Sequence, residues 1–289
     1  MLQALANGIL YGGTLSIAAV GFSMIFGTLN IINLAHGVFV IGGAYAALVA
    51  WSSLGLDPVL VVVPAMLGGF ALGWALERLL IRPAVRRGNP VAAILVTFGF
   101  GLIVINILTG VFSSSVRNVS PAYAFDSLRV FGLSLDLVRV VAFAAALVLI
   151  TALSLFLAHT AWGRVIRATA QAELGARVCG IDVAGVHSMT FAIGSAFAAA
   201  SGVLVSMILP FTPAEESQWT VYAFVVVTLG GVGSPAGALL GGLLLGVTAV
   251  LTQTYLGPVY TNVVTFLILL VMLLVRPHGI LGQAFRASH

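Results

Sequence analysis

Lysine is absent from this sequence of 289 residues, and all 12 basic residues are arginines. A phosphate-binding loop of the G-x-x-x-x-G-K-[ST] type needs its lysine to reach the β- and γ-phosphates of a nucleotide. The lack of lysine therefore excludes an ATPase site of this type, and we expect no catalytic residues. Charged residues make up only 7% of the chain, and no basic run is interleaved with aromatic residues, so nucleic-acid binding is not expected.

Cysteine occurs once, at Cys179, which excludes an internal disulfide and a cysteine cluster for a metal. The histidines are scattered without the spacing of metal ligands: His36, His159, His187, His278 and His289. We therefore predict no metal site.

A secretory signal is not expected either, because the first basic residue is Arg78 and signal peptides begin with a positively charged region. The first hydrophobic segment is predicted to stay as a membrane helix.

Apolar residues make up 61% of the chain, whereas an average soluble domain is about 45–50% apolar. Segments near the ~18-residue length of a membrane helix recur throughout. We place nine of them, at 5–27, 36–53, 58–79, 90–112, 138–158, 187–210, 219–231, 235–256 and 258–275. The sequence therefore predicts an all-α polytopic membrane protein with about 8–9 membrane helices, folded as a single transmembrane domain over residues 1–289.

The seventh segment, 219–231, is too short to cross a bilayer, because a spanning helix needs about 20 residues. Its boundary with the eighth segment is the breaker cluster GGVGSP at 230–235. Two interpretations stay open for this pair: two half-depth helices that meet at a glycine-rich break, or one full span beside a re-entrant piece. Broken or re-entrant segments are expected in either case.

Arginines are distributed unevenly among the loops, which predicts the orientation of the chain in the membrane. They are concentrated at 78–87, in the loop 159–186 and in the C-terminal tail, whereas 113–137 is mixed in charge and 211–218 is acidic. Because arginine-rich loops remain in the cytoplasm, we expect 113–137 and 211–218 outside. The N-terminus is then predicted to be periplasmic and the C-terminus cytoplasmic.

Few charged residues lie within the predicted membrane segments. Glu77, near the edge of the third segment, is expected to pair with Arg78 or Arg82 at the interface, since acids deep in hydrocarbon are rare. The scarcity of membrane carboxylates argues against a proton- or sodium-coupled carrier, which needs such groups to bind its ion. A stand-alone secondary carrier or channel for a small polar solute stays open as an alternative, as does a scaffold subunit without a conduit.

The loop 159–186 is the most polar stretch of the chain and is long for a connection between helices. Its charged residues stand among small residues, a composition suited to a short amphipathic helix on the membrane surface. It is either a solvated loop or a docking element for another protein. Its length, small residues and mixed charge favour docking.

Residues 27–37 read GTLNIINLAHG and lie between the first two hydrophobic segments. A broken backbone at membrane depth must be satisfied by side chains or water. Asn30, Asn33 and His36 can supply those hydrogen bonds, because each side chain can both donate and accept. These residues either cap a buried helix break or also contact a transported solute, and the sequence leaves both interpretations open.

Three longer motifs are distinctive: GFSMIFGTLNIINLAHG at 21–37, GRVIRATAQAELGARVCGIDV at 163–183, and LLVRPHGILG at 273–282. Through them the chain resembles, over essentially its whole length, the shorter (leucine/isoleucine/valine type) permease subunit of branched-chain amino acid ABC importers. The resemblance implies the ABC importer permease fold. It also implies transport of branched-chain or related apolar amino acids across the bacterial inner membrane, with urea, amides or aromatic acids as alternative substrates in the same class.

The resemblance implies partners as well. ATP is hydrolysed by separate subunits in this family, which agrees with the missing lysine. ATP and Mg would therefore be bound by two partner ATP-binding subunits, and this chain itself would hold no cofactor. A second permease subunit, forming a heterodimer, and a periplasmic substrate-binding protein complete the implied assembly.

Site residues follow from the matched motifs. The segment 159–186 would be the cytoplasmic coupling loop that an ATPase subunit grips, through Arg164, Arg167, Glu173, Gly175, Arg177 and Gly180. ABC permeases in general carry a Glu-Ala-Ala…Gly pattern there, and this chain departs from it at Leu174 and Gly175. Candidates for the translocation path are polar residues at a predicted break or inside a span: Asn30, Asn33, His36, Thr97 and Ser234.

Overall fold

The computed structural model describes residues 1–86, 90–130, 132–276 and 278–281. Its α-helices are, in chain order, α1 (Leu2–Leu29), α2 (His36–Leu54), α3 (Pro58–Leu76), α4 (Arg82–Arg86), α5 (Pro90–Phe112), α6 (Leu137–His159), α7 (Ala161–Gln171), α8 (Glu173–Val178), α9 (Val183–Ser206), α10 (Glu216–Gly230), α11 (Pro235–Tyr255) and α12 (Tyr260–Val275). A π-helix (Glu77–Ile81) joins α3 to α4, and a 3₁₀ turn (Pro213–Glu215) precedes α10. The antiparallel strands β1 (Ser127–Val130) and β2 (Leu133–Asp136) form a hairpin before α6.

Local sequence fixes where several of these helices begin. Asp57 precedes α3, and its Oδ1 accepts a hydrogen bond from the Val59 N–H at 2.8 Å. Thr160 caps α7 in the same way. Because the first N–H groups of a helix have no partner within it, such side chains stabilise a helix start by about 1 kcal/mol each.

Among the residues that the structure describes, seven helical stretches are long and apolar enough to span a membrane: Leu2–Leu29, His36–Leu54, Pro58–Val85, Val91–Phe112, Leu137–His159, Val183–Ser206 and Pro235–Tyr255. The prediction of an all-α polytopic membrane protein is confirmed. Of the pair that meets at 230–235, α11 has 21 residues and can span alone, whereas α10 has 15. The structure therefore favours one full span beside a shorter helix.

The interior of the bundle is formed by α1 and α9, which are buried along most of their length and pack against each other. Helices α2 and α3 pack on α9, and α11 packs on α1. Small residues permit this close approach. A Cβ at Gly43 of α2 would overlap the carbonyl oxygen of Ala199 in α9, so only glycine fits at this crossing.

Helix α5, in contrast, lies at the periphery and makes few contacts with other helices of the chain. Its outward side chains are mostly apolar and exposed: Leu95, Phe98, Leu102, Ile103, Ile107 and Val111. Asn106 is exposed on the same helix, where its Nδ2 donates to the Leu102 carbonyl at 2.7 Å. The outer face of α5 is therefore available to lipid or to another subunit.

The bundle has two chemically distinct ends. The arginine-rich end comprises α4, α7, α8 and residues 278–281, and the Ile280 N–H donates to the Leu229 carbonyl at 2.9 Å, which ties the last described residues to the end of α10. At the opposite end, Arg117 and Phe211 exchange two backbone hydrogen bonds of 2.9 Å, joining the segment before the hairpin to that before α10. Several residues used above for orientation and motifs lie outside the described residues: Arg87, Pro277, Gly282, Arg286 and His289.

Candidate functional site: a buried helix break beside an apolar cavity

Helix α1 ends at a left-handed asparagine. Asn30 has φ 53°, and its N–H donates to the Phe26 carbonyl at 3.0 Å. Asparagine is among the few residues that adopt this conformation readily, so the residue type explains why the helix stops here. The side chain of Asn30 is exposed and does not enter the bundle.

Asn33 then turns the chain back into the bundle. Its side chain is fully buried, and its Oδ1 accepts a hydrogen bond from the Ala35 N–H at 3.0 Å. Its carbonyl accepts from the His36 N–H at 3.3 Å. Asparagine side chains commonly build such turns by binding the backbone two residues on, and here the turn positions His36 as the first residue of α2.

His36 lies deep within the bundle. Its Nε2 donates to the Ala18 carbonyl at 2.8 Å, and its ring meets the edge of Phe22 with 5.2 Å between centroids. Ala18 stands 11 residues before Leu29, the end of α1. At 1.5 Å per residue this is about 16 Å along the helix axis. The break therefore folds back along α1, and α2 begins inside the protein.

Two further helices hold the break. Thr97 of α5 accepts a hydrogen bond from the Leu34 N–H at 3.2 Å through its Oγ1. Thr220 of α10 accepts from the Gly37 N–H at 2.8 Å. A Cβ at Gly37 would overlap the Glu216 carbonyl oxygen, so glycine is needed where α2 crosses α10. Asn33, His36, Thr97 and Thr220 together form what we call the break cluster.

Two polar atoms of the break cluster are buried without a hydrogen-bond partner among the described residues: Asn33 Nδ2 and His36 Nδ1. Since Oδ1 of Asn33 and Nε2 of His36 are already engaged, the first atom is a donor and the second an acceptor. Buried polar groups are nearly always paired in proteins. The break cluster therefore retains unused hydrogen-bonding capacity of both kinds.

The structure thus brings together three of the five predicted path residues. Asn33, His36 and Thr97 meet in the break cluster, whereas Asn30 is exposed and Ser234 caps α11 by accepting from the Gly237 N–H at 3.0 Å. Thr220 was missed, because nothing in its apolar segment distinguishes this threonine from those that bond to their own helix.

An apolar cavity of about 600 Å³ lies between α2, α3 and α5. The first residue of α2 that lines it is Val38, two positions after His36. Aromatic rings line it in pairs: Phe39 stacks on Phe100 with centroids 6.3 Å apart, and Tyr45 on Phe112 at 4.5 Å. The Oη of Tyr45 is buried and has no partner among the described residues. The cavity is therefore apolar with one hydroxyl group, and its volume lies within the ~300–1,000 Å³ range of ligand sites.

The predicted coupling loop contains α7 and α8 rather than a single surface helix. Arg167 donates to the Leu157 carbonyl and Arg164 to the His159 carbonyl, at 3.5 Å, so both arginines bind the C-terminal end of α6. A cation at a helix C-terminus is favourable because the last carbonyl groups lack partners there. These arginines therefore hold α7 against α6.

Helix α8 is exposed on nearly every side. Glu173 and Arg177 form a surface ion pair of 2.6 Å, while Leu174 is 76% and Val178 82% exposed. Gly175 is exposed as well, and Gly180 has φ 81°, a conformation that glycine adopts without strain. An exposed apolar pair on a short helix is expected where another surface covers it.

Glu77 pairs with Arg82, at 3.1 Å, as predicted, while Arg78 lies over the Trp74 ring at 4.9 Å. The carboxylate is almost fully buried, and it also accepts a hydrogen bond from the Ser188 hydroxyl of α9. Arg82 in turn donates to the Ala184 carbonyl at 2.6 Å. The π-helix residue Glu77 therefore joins α3 and α4 to α9. Among the described residues, no group of three or more His, Cys, Asp or Glu side chains is placed to hold a metal ion.

A family model described as the permease component of the branched-chain amino acid transport system matches residues 4–274. The high-affinity branched-chain amino acid transport system permease protein LivH of Salmonella typhimurium is 33% identical over 297 residues, covering 98% of this chain and 96% of LivH. The permease protein BraD of Pseudomonas aeruginosa is 32% identical, with coverage of 98% and 96%. The permease protein LivM of Escherichia coli is 28% identical and covers 92% of this chain and 67% of LivM. No solved structure matches the chain significantly.

Proposed function

Because this chain belongs to the permease components of branched-chain amino acid transport systems, we propose that it is the membrane-spanning permease subunit of an ATP-driven importer. It moves branched-chain or related apolar amino acids across the bacterial inner membrane by alternating access. The observation that supports this most directly is the break cluster, which immediately precedes the residues of α2 that line the apolar cavity.

The pairing of cluster and cavity suits the two ends of an apolar amino acid. The aromatic and aliphatic lining of the cavity favours an aliphatic side chain, and the free donor of Asn33 and acceptor of His36 favour a polar head group. Urea and small amides lack the apolar part, so this lining argues for amino acids over those alternatives. Asn33, His36 and Thr97 are the residues we assign to the path, with Asn30 and Ser234 at its margins.

The coupling loop 159–186 docks an ATPase subunit through α8. Glu173, Arg177 and the exposed Leu174 and Val178 supply the contact surface, while Arg164 and Arg167 set the position of α7 beneath it. Gly175 and Gly180 have no side chains, so another protein can approach the backbone of the loop closely at these positions. Two ATP-binding subunits bind ATP and Mg, so this chain needs no cofactor of its own.

A second permease subunit packs against the outer face of α5 to form a heterodimer, as the related LivM chain suggests. Asn106 supports this assignment, because a polar side chain in a membrane helix is favoured where it faces protein rather than lipid. The arginine-rich end is cytoplasmic by the charge rule. The N-terminus is then periplasmic, and a periplasmic binding protein docks at the opposite end, on 113–137 and 211–218.

The test is uptake by proteoliposomes that contain this chain with its second permease, the two ATPases and the binding protein. We expect uptake of leucine, isoleucine or valine that requires ATP, and no ATPase activity from this chain alone. Uptake by this chain without partners would instead support a stand-alone carrier, and hydrolysis without partners would contradict the assignment of ATP to other subunits.

Charge reversal then tests the coupling surface. Glu173→Arg is expected to abolish ATP-driven uptake while the fold is retained, because Glu173 is exposed and its ion pair contributes under about 1 kcal/mol. Arg78→Gln, which removes an exposed charge at the same end but outside the loop 159–186, is the control and should leave coupling unchanged. Unchanged ATP-driven uptake in Glu173→Arg would count against a coupling role for α8.

A further inference from the structure

A second cavity, of about 390 Å³, opens at the arginine-rich end between the end of α1, the π-helix, α4, α8 and the start of α9. It is separate from the apolar cavity and from the break cluster. Its wall includes two residues of the coupling helix, Glu173 and Arg177, and the buried ion pair of Glu77 and Arg82. Five elements at this end therefore contribute to one cavity: α1, the π-helix, α4, α8 and α9.

The charges in this cavity are balanced. Two carboxylates and two guanidinium groups line it, one pair deep in the protein and one pair at the surface. His187 stands within electrostatic range of all four charged side chains, and its Nε2 is buried without a partner among the described residues. A ligand with both a positive and a negative group would find a partner of opposite charge for each. An ion with a single charge would also be repelled by the groups that carry its own sign.

The remaining wall is aliphatic: Leu29, Ile31, Ile81, Val85 and Val183. A cavity with both charge signs and a branched aliphatic wall matches one class of small molecule, the free amino acid with an aliphatic side chain. Its ammonium group would meet the carboxylates, its carboxylate would meet the guanidinium groups and His187, and its side chain would lie against the aliphatic wall.

We infer that this cavity binds a free aliphatic amino acid from the cytoplasmic side and that its occupancy slows import. The inference rests on the proposed function for the identity of the amino acid and for the sidedness. A bound amino acid would contact α8 together with α4 and α9. It would therefore hold the coupling helix in one position, and ATP-driven motion of α8 would have to break those contacts. Accumulated product would in this way reduce further uptake.

The experiment uses the complete importer in proteoliposomes, preloaded either with L-leucine or with buffer alone. The initial rate of ATP-driven uptake from the outside, with the binding protein present, is the readout. We expect internal L-leucine to lower this rate several-fold. Val85→Phe, which adds volume to the aliphatic wall, is expected to take up substrate normally while its inhibition constant for internal leucine rises at least about tenfold, since the fit of a single methylene already changes affinity by that factor.

Leu79→Phe is the matched control, because Leu79 is 68% exposed at the same end and lies outside the cavity wall. It should be inhibited like the wild type. His187→Phe gives an independent test by removing the unpartnered ring nitrogen, and it should also raise the inhibition constant. Normal uptake that internal leucine does not slow, or equal inhibition of the wild type and both cavity variants, would overturn this inference alone. Absence of any ATP-driven uptake would instead contradict the proposed function.

Discussion

Removal of Arg82 should destabilise the protein more than removal of the whole ion pair. In Arg82→Met, the Glu77 carboxylate keeps its hydrogen bond from Ser188 but loses its counter-charge, in a site where its side chain is only 4% exposed. Breaking a buried pair by removing one partner typically costs about 3–5 kcal/mol. Because the Arg82 side chain is 20% exposed, the lower part of that range, about 3 kcal/mol, applies here.

The double variant Glu77→Leu/Arg82→Met removes both charges and should recover most of this loss, since an apolar pair of similar volume is often as stable as a buried ion pair. Ser188 would still donate to the Ala184 carbonyl, 3.3 Å away, so its hydroxyl stays satisfied. Thermal unfolding in detergent, followed by tryptophan fluorescence, is the assay. The single variant should melt on the order of 5–10 °C below the wild type, and the double variant near it. A double variant that melts as low as the single one would refute this account of the ion pair.

Three other variants test separate features. Gly43→Ala should lower the yield of folded protein, because its Cβ would collide with the backbone of α9, whereas Gly42→Ala, which faces open space, should not; monodisperse yield measures both. His36→Leu should reduce uptake far more than it reduces the amount of protein in the membrane fraction. A variant that retained both would show that the break serves only as a turn between helices. Burial beside the Asp57 carboxylate raises the pKa of Tyr123 from 10.0 to about 12, so its contribution to stability is present below pH 10.0 and is lost as the pH rises towards about 12. Melting scans at alkaline pH should show this loss in the wild type and not in Tyr123→Phe.

The membrane helices could be predicted closely from the sequence. The fourth predicted segment, 90–112, has the same bounds as α5. The second, 36–53, starts where α2 starts and ends one residue before the end of α2. Glycine, proline and asparagine interrupt otherwise continuous apolar runs, and the ends of helices follow these interruptions. The ninth segment was placed two residues early, because Pro258 begins a turn rather than the helix itself.

Other features depend on contacts that no local pattern contains. The depth of the break follows from the hydrogen bond between His36 and Ala18, which are 18 positions apart. The role of Thr220 depends on α10 crossing the start of α2. Both of these features require the packed structure. The hairpin of β1 and β2 was missed for a different reason: its strands, SLRV and LSLD, do alternate polar and apolar residues, which is the usual signal of a strand, but each is only four residues long.

Helix α5 contacts the rest of the chain lightly, yet one hydrogen bond ties it to the break, from the Leu34 N–H to Thr97. A tilt of α5 would leave the packing of α1 against α9 intact but would have to release this N–H. The net strength of this hydrogen bond is on the order of 1 kcal/mol, so thermal motion can break it. A solute that gives Leu34 or Thr97 a new hydrogen-bond partner would shift the equilibrium towards the broken form.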